Sequence, residues 1–358
     1  MRTQKFWNNK KVFLTGHTGF KGSWMSIWLN MLGANVQGYS LTPPSNPSLY
    51  QEAGLSSLIN SEINDIRSYN ELNKSIQEFS PEIVFHMAAQ PLVRASYKNP
   101  LETYETNVMG TANLLQACCN CASVKAVINI TTDKCYENIE EDIGYKETDK
   151  MGGSDPYSSS KGCAELVTAA YRQSFYQNKN IGLASVRAGN VIGGGDWAED
   201  RLIPDILKAF ESNKPVVIRN PNATRPWQHV LEPLSGYLLL AEKLYNNPLE
   251  FSDGWNFGPN FEDAKPVGTI VSFMSDLWPD SSWQLDKSDN PYEANLLKLD
   301  ISKAKSKLGW SPVWNLEKSL EKIVQWQKSW SAKTNNAHDL CVAEINQYIK
   351  DSSKNGRN

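Results

Sequence analysis

"VFLTGHTGFKG", Val12 to Gly22, sets a short apolar run against three glycines, Gly16, Gly19 and Gly22, spaced three apart. A strand that empties into glycines and resumes as an amphipathic stretch, Gly19 to Leu32 closed by Gly33, is the arrangement of a dinucleotide-binding turn. The first glycine allows the tight turn. The second lets backbone approach a pyrophosphate, and the third lets helix and strand pack closely. The anion sits at the helix N-terminus, where free N–H groups and the helix dipole favour negative charge. An ordinary glycine-rich turn would read the same way, so the rest of the chain must decide. His17 stands between two of the glycines, where its ring either hydrogen-bonds the pyrophosphate or crowds it. Lys21 falls in the first helical turn, where a cation opposes the dipole. It either meets phosphate or faces solvent.

Outward from the turn, strands and helices alternate. "KVFLT" (Lys11–Thr15), "NVQGYSL" (Asn35–Leu41), "PEIVFHMAA" (Pro81–Ala89) and "VKAVINITT" (Val124–Thr132) read as strands, and "GLASVRAGNVIGGG" as a strand breaking into Gly193–Gly195. "LETYETNVMGTANLLQACC" (Leu101–Cys119) and Tyr157–Phe175 have helical periodicity. This alternation predicts an α/β fold, a doubly wound parallel sheet of Rossmann type. After about Asn190 proline and tryptophan become common. The expected division is a dinucleotide-binding domain over 1–190 with a helix returning to it near 231–245. A smaller mixed substrate domain follows over 191–335, and 336–358 is read as a polar tail that frays.

The chain of 358 residues is long enough for a large buried core, and its net charge of −3 with 40% hydrophobic residues points to neither disorder nor a nucleic-acid partner. No apolar run reaches the roughly 20 residues of a membrane span, and "MRTQKFWNNKK" has no signal-peptide pattern, so a cytoplasmic protein is expected. The six cysteines, including those of "ACCNCA", lack a second cluster at zinc spacing and read as reduced thiols with no metal.

"YSSSK" places Tyr157 and Lys161 on one helical face. A lysine beside a phenol favours the phenolate, which could then act as a base. Behind "VINITTDK" the pair gains Thr132, able to share a hydrogen bond with a substrate hydroxyl. The segment "GYSLT" after the second strand holds no acid and no arginine, so the residues themselves do not decide NAD from NADP.

The G-x-x-G-x-x-G turn with Y-x-x-x-K resembles the short-chain dehydrogenase/reductase superfamily. "RAGNVIGGGD", "RLIPDIL", "RPWQHV" and "LDISKAKSKLGWSP" resemble its extended, nucleotide-sugar branch. The resemblance runs from about residue 8 to about 330. Within the branch, long segments such as "EIVFHMAAQPLVR", "TTDKCYEN" and "NPNATRPWQHVLEPLSGYL" are similar to the 4,6-dehydratases that act on CDP-glucose.

The resemblance implies NAD as cofactor, held by Gly16, His17, Thr18, Gly19 and Phe20 of the turn. Asp65, Ile66, Ala88 and Ala89, the structural Asn107, and Tyr157 with Lys161 complete that set. It implies a nucleotide-sugar, CDP-glucose, held by Asn190, Arg201, Leu202 and Arg225. It also implies deoxysugar biosynthesis of the lipopolysaccharide O-antigen kind. The implied catalytic set is Thr132, Asp133, Lys134, Tyr157 and Lys161. Asp133 is the acid for the departing 6-hydroxyl, and Lys134 stands where dTDP-glucose relatives carry a glutamate base. A nucleotide-sugar 4-epimerase keeps the tyrosine and lysine without needing Asp133, and a non-catalytic NAD sensor on the same fold needs none of them.

Two further expectations follow. His17 and the missing acid point to weak NAD retention. The helices Leu101–Cys119 and Tyr157–Phe175 offer Val108, Leu114, Leu115, Leu166, Val167 and Tyr171 for pairing two copies into a homodimer.

Overall fold

The computed structural model describes residues 2–286 and 296–354. Strands β1 (Lys11–Thr15), β2 (Asn35–Ser40), β3 (Asn60–Ile63), β4 (Ile83–His86), β5 (Ala126–Ile130), β6 (Gly182–Ala188) and β7 (Gly254–Phe257) form one sheet. Its seven strands run in the order β7-β6-β5-β4-β1-β2-β3, and every neighbouring pair is parallel. A parallel sheet is covered on both faces, so its strands are apolar without alternation. Val12, Phe13 and Leu14 are all solvent-free, and β5 and β6 are buried from end to end. The expected doubly wound fold is present.

Helices α1 (Phe20–Met31), α2 (Tyr69–Phe79), α3 (Gly110–Cys119), α4 (Pro156–Tyr171), α5 (Leu202–Glu211), α6 (Leu231–Asn246), α7 (Leu316–Ser331) and α8 (Ala337–Lys354) cover the sheet or build the smaller part. One apolar core joins α1, α6 and α8 to the sheet, while a second packs α2 and α3 on the other face. A third gathers Ile203, Ile206, Phe210, Ile270, Met274 and Ile323 in the smaller part. The chain leaves β1 towards β2 and β3, then returns to β4 on the other side of β1. Such a reversal opens a crevice at the carboxyl ends of the strands, where ligands bind.

Several expectations need correction. The tail over 336–358 does not fray across its described part. Ala337–Lys354 is a helix whose Ala337, Cys341, Ile345 and Tyr348 are buried. Tyr348 meets Trp28 of α1 edge-on at 5.8 Å, which fastens α8 to the dinucleotide-binding half. Residues 355–358 lie outside the described residues. Not only the helix near 231–245 returns to the sheet, since Gly254–Phe257 enters it as β7 beside β6. Leu114 and Leu115 belong to the core under α3 and are not available to a partner. The helix expected over Leu101–Cys119 contains a π-turn at Glu105–Met109. Such bulges re-aim side chains at functional sites, and this one turns Asn107 inward.

Glu165 of α4 and Arg187 of β6 form a solvent-free ion pair at 2.8 Å. Ser185 and Thr131 also hydrogen-bond the carboxylate, and Tyr136 accepts from the guanidinium. With its hydrogen bonds satisfied, the pair locks α4 onto β5 and β6. Removing one partner of such a pair costs about 3–5 kcal/mol.

Candidate active site

A cavity of about 1040 Å³ opens over the carboxyl ends of β1, β4, β5 and β6 and runs between the sheet and the smaller part. Gly16 begins its floor with φ of +78°, and a Cβ there would lie 2.7 Å from the Ala88 nitrogen. Gly22 is closer still, because its Cβ would come within 2.1 Å of the Gly16 carbonyl oxygen. Around Gly19 only that carbonyl lies within reach, at 3.4 Å, so the backbone there is open to an approaching group. Gly19 caps α1 without any side-chain hydrogen bond. The first amides of the helix therefore lack an intrahelical carbonyl and face the cavity as anion donors. Gly16 thus makes the turn, Gly22 the close packing, and Gly19 the open approach.

The strand ends are fixed by one hydroxyl. Thr15 Oγ1 accepts from the Met87 and Ala88 amides and meets His86 Nδ1 at 2.8 Å. Burial holds His86 neutral by pushing its pKa down to about 3. Ala88 and Ala89 line the cavity as expected. Thr18 also lines it and bonds Ser40 Oγ and the Leu41 carbonyl, tying the turn to "GYSLT" through hydroxyls instead of a carboxylate. Phe20 and Ile66 are on the wall. So is Asp65, but its carboxylate is taken by Arg67 at 2.6 Å, which holds it below the usual range despite partial burial.

Two residues of the expected cofactor set, His17 and the structural Asn107, do not line the cavity. The His17 ring is not in the cavity. It is buried behind β2, with Nε2 at 2.7 Å from Ser61 Oγ and Tyr50 edge-on at 5.5 Å. Its ring contacts are with Ser61 and Tyr50 and not with the cavity, and burial lowers it to about 4, so it is neutral. Asn107 is buried outside the cavity lining. Its amide bridges the Gln90 backbone and Ser160 Oγ, so it positions the β4 loop against α4.

The catalytic set converges. Thr132, Asp133, Lys134, Tyr157 and Lys161 all line the same cavity. Asp155 caps α4 by accepting from Ser158, which sets the first turn that carries Tyr157. Lys161 follows one turn later on the same face. Its ammonium donates to the Ile130 carbonyl at 3.2 Å, and burial lowers it to about 8. Burial raises Tyr157 to about 12, opposed by a hydrogen bond with Thr132 and by the Arg201 charge. The groups that favour its phenolate are thus Thr132 and Arg201, where the sequence reading gave this task to Lys161 alone.

Asp133 is solvent-free, and burial raises its pKa against the pull of Lys134 and Arg225. Its Oδ1 accepts from Thr132 at 3.0 Å, while Oδ2 has no hydrogen-bond partner among the described residues. A buried carboxyl with one idle oxygen is a proton donor in waiting. A Cβ on Gly189 would lie 3.0 Å from that oxygen, so glycine there keeps the space beside it clear.

Asn190, Arg201, Leu202 and Arg225 line the far half of the cavity as expected. Arg201 is held by Asp196 at 2.9 Å, and Arg225 donates to the Thr224 carbonyl at 3.0 Å. The sequence reading missed Arg219 and Arg94 on the same wall. Arg219 has a buried Nη1 without a hydrogen bond among the described residues, near Asp200 at 4.0 Å. Its signal was an arginine ending the apolar run "VVI", Val216–Ile218. Together the guanidinium groups fit a diphosphate, and the glycine turn fits a second one. Among the described residues there is no His, Cys, Asp and Glu group able to hold a metal ion, and no helix long and apolar enough to cross a membrane.

The doubly wound sheet, the glycine turn and the Thr–Tyr–Lys cluster are those of the short-chain dehydrogenase/reductase superfamily. Within it the chain belongs to the GDP-mannose 4,6 dehydratase family, whose model matches residues 13–323. A curated relative is more specific. The CDP-glucose 4,6-dehydratase of Salmonella typhimurium is 59% identical over 363 residues, covering 99% of this chain and 100% of the relative. Among solved structures, the dTDP-glucose 4,6-dehydratase of Bacillus anthracis in complex with NAD superimposes with a TM-score of 0.74 at 20% identity, over 89% of this chain and 97% of that one. The UDP-glucuronic acid 4-epimerase of Bacillus cereus, in complex with UDP-glucuronic acid and NAD, gives 0.76 at 24% identity over 89% and 99%. These two show the shared fold.

Proposed function

We propose that the protein converts CDP-glucose to CDP-4-keto-6-deoxyglucose and water, with NAD bound throughout. The observation that carries this reading is Asp133, a buried carboxyl whose pKa burial raises, beside Thr132 and Tyr157. A 4-epimerase on this fold needs no such acid. The 59% identity to the Salmonella typhimurium enzyme supports the choice of nucleotide.

The cavity residues fit the cofactor, with Gly16, Thr18, Gly19 and Phe20 around its pyrophosphate and Asp65 and Ile66 at its adenine end. The chemistry a bound NAD would supply is acceptance of hydride from sugar carbon 4 and its return to carbon 6. Tyr157 accepts the proton of the 4-hydroxyl, with Thr132 orienting that hydroxyl. The ketone acidifies the hydrogen on carbon 5. Asp133 protonates the departing 6-hydroxyl, and Lys134, next on the loop, is the candidate base at carbon 5. Asn190, Arg201, Leu202 and Arg225 hold the nucleotide-sugar, and Arg219 joins them at the diphosphate.

The test is turnover of CDP-, dTDP-, GDP- and UDP-glucose by the purified protein. CDP-glucose should give a 4-keto product at a rate roughly a hundredfold or more above the others, since a site built for hydrogen bonds rejects bases that leave them unpaired. Preference for another nucleotide would overturn the assignment.

The same reading includes a homodimer through a four-helix bundle. Leu101, Met109, Leu166 and Phe175 project from the π-bulged helix pair into solvent, in place of the buried Leu114 and Leu115. The protein should sediment as a dimer at micromolar concentration, and a monomer there would exclude this interface.

A further inference from the structure

Lys21 has no part in the chemistry above. It belongs to the first turn of α1, one residue past Phe20, yet it lines the same cavity as Tyr157, Lys161 and Asp133. No carboxylate or carbonyl among the described residues takes a hydrogen bond or an ion pair from its ammonium. The Tyr237 ring of α6 lies 5.9 Å from Nζ. The Tyr237 hydroxyl is itself buried without a hydrogen-bond partner among the described residues.

Charged and titratable groups face Lys21 from each surrounding element. Lys161 comes from α4, Arg201 from the start of α5, Asp133 from the loop after β5 and Tyr237 from α6. Two of these are cations, and the one carboxyl among them is itself raised in pKa. Burial, reinforced by Lys161 and Arg201, lowers the Lys21 ammonium to about 7. A cation at a helix N-terminus is also disfavoured by the dipole. Only Asp133 and the Tyr237 ring favour the ammonium, against burial, Lys161 and Arg201, and no hydrogen bond among the described residues fixes it, so its position is best explained by what fills the cavity.

A dinucleotide lying from Ile66 past the glycine turn to Tyr157 must bring its nicotinamide end to the catalytic cluster, because hydride leaves the sugar there. Lys21 stands between the turn and that cluster. The oxidised nicotinamide carries a positive charge that the reduced ring lacks. We propose that Lys21 makes the cofactor site discriminate by charge, holding the reduced, uncharged nicotinamide more firmly than the oxidised, cationic one. The inference rests on the NAD reading given above. Its use is plain in a closed redox cycle, where the reduced cofactor must stay in place until the hydride is returned.

The experiment is a titration of cofactor-stripped protein with NAD⁺ and with NADH at pH 6 and pH 9, followed by calorimetry so that proton release is read as well. In the wild type the ratio of the NAD⁺ and NADH dissociation constants should fall as the pH rises, because Lys21 loses its proton over that interval. NAD⁺ binding at pH 6 should release a proton that NADH binding does not. Lys21→Met should lower the ratio at pH 6 roughly tenfold, as expected for removing one like charge at short range in a partly dry site. Lys21→Arg should keep the ratio high even at pH 9. Any slope remaining in Lys21→Met belongs to Lys161. An unchanged ratio in Lys21→Met, or equal loss of both cofactors, would overturn the proposal and leave the NAD reading intact. Failure of the wild type to bind either cofactor would overturn both.

Discussion

Tyr157→Phe should abolish oxidation of the sugar while leaving the fold and cofactor binding close to wild type. The ring is solvent-poor and packed at the start of α4, where phenylalanine fills the same space. Only the hydroxyl is lost, and with it the acceptor for the 4-hydroxyl proton. Loss of a positioned general base costs roughly a hundredfold to ten-thousandfold in rate. A single lost hydrogen bond costs about 1 kcal/mol in binding. The two effects are far enough apart to separate by a rate measurement beside a cofactor titration. Retention of more than a few per cent of the rate (by the scale of that general-base effect) would remove Tyr157 from the base role. The pH profile carries a second check. With Tyr157 pushed to about 12 by burial, its phenolate is a minor species at neutral pH in the protein alone. The wild-type rate of the first step should rise with pH, and the residual rate of the phenylalanine variant should not.

Asp133→Asn should separate the two halves of the reaction. An amide matches the carboxyl in shape but cannot give up a proton to the 6-hydroxyl. Elimination should slow by roughly a hundredfold or more, while oxidation at carbon 4 proceeds. In a single turnover the near-ultraviolet absorbance of reduced nicotinamide should then appear and persist. If the absorbance never appears and the first step slows equally, Asp133 positions the substrate instead. The Thr132 contact makes the readout clean, since an asparagine oxygen can still accept from that hydroxyl.

The parts of the fold legible in the sequence were those governed by short-range pattern. The apolar runs at Val12–Leu14 and Ala126–Ile130 announce strands covered on both faces, and the glycines announce a turn that only backbone can line. The edge strand Asn60–Ile63 was silent because "NSEI" is polar and half-exposed, with no apolar face to betray it. Helix α8 reads as a tail because its buried face is sparse, with only Ala337, Cys341, Ile345 and Tyr348 apolar beside the buried Glu344 among many polar residues. What docks it is Trp28 and His229, far away in sequence.

The site follows the same division. Tyr157, Lys161, Thr132 and Asp133 were legible because their spacing is local to one helix and one loop. The direction of the His17 ring was not. It depends on the space above Gly38 and on Ser61, both on neighbouring strands. Lys21 stood open between solvent and phosphate in the sequence, and the structure sends it to the cavity wall because α6 and its Tyr237 pack beside the turn.

The placement of His17 also restricts the order in which this turn could change. A Cβ at position 38 would stand 2.5 Å from Cγ of the imidazole, so alanine at 38 is barred while the ring is present. Once position 17 is reduced to a small residue, the obstacle vanishes and 38 is free to vary. The reverse sequence of steps passes through a chain that cannot seat β2 against the turn. Position 38 is thus a lock whose key is position 17: the two residues answer to each other, and a history that altered both had to begin at 17.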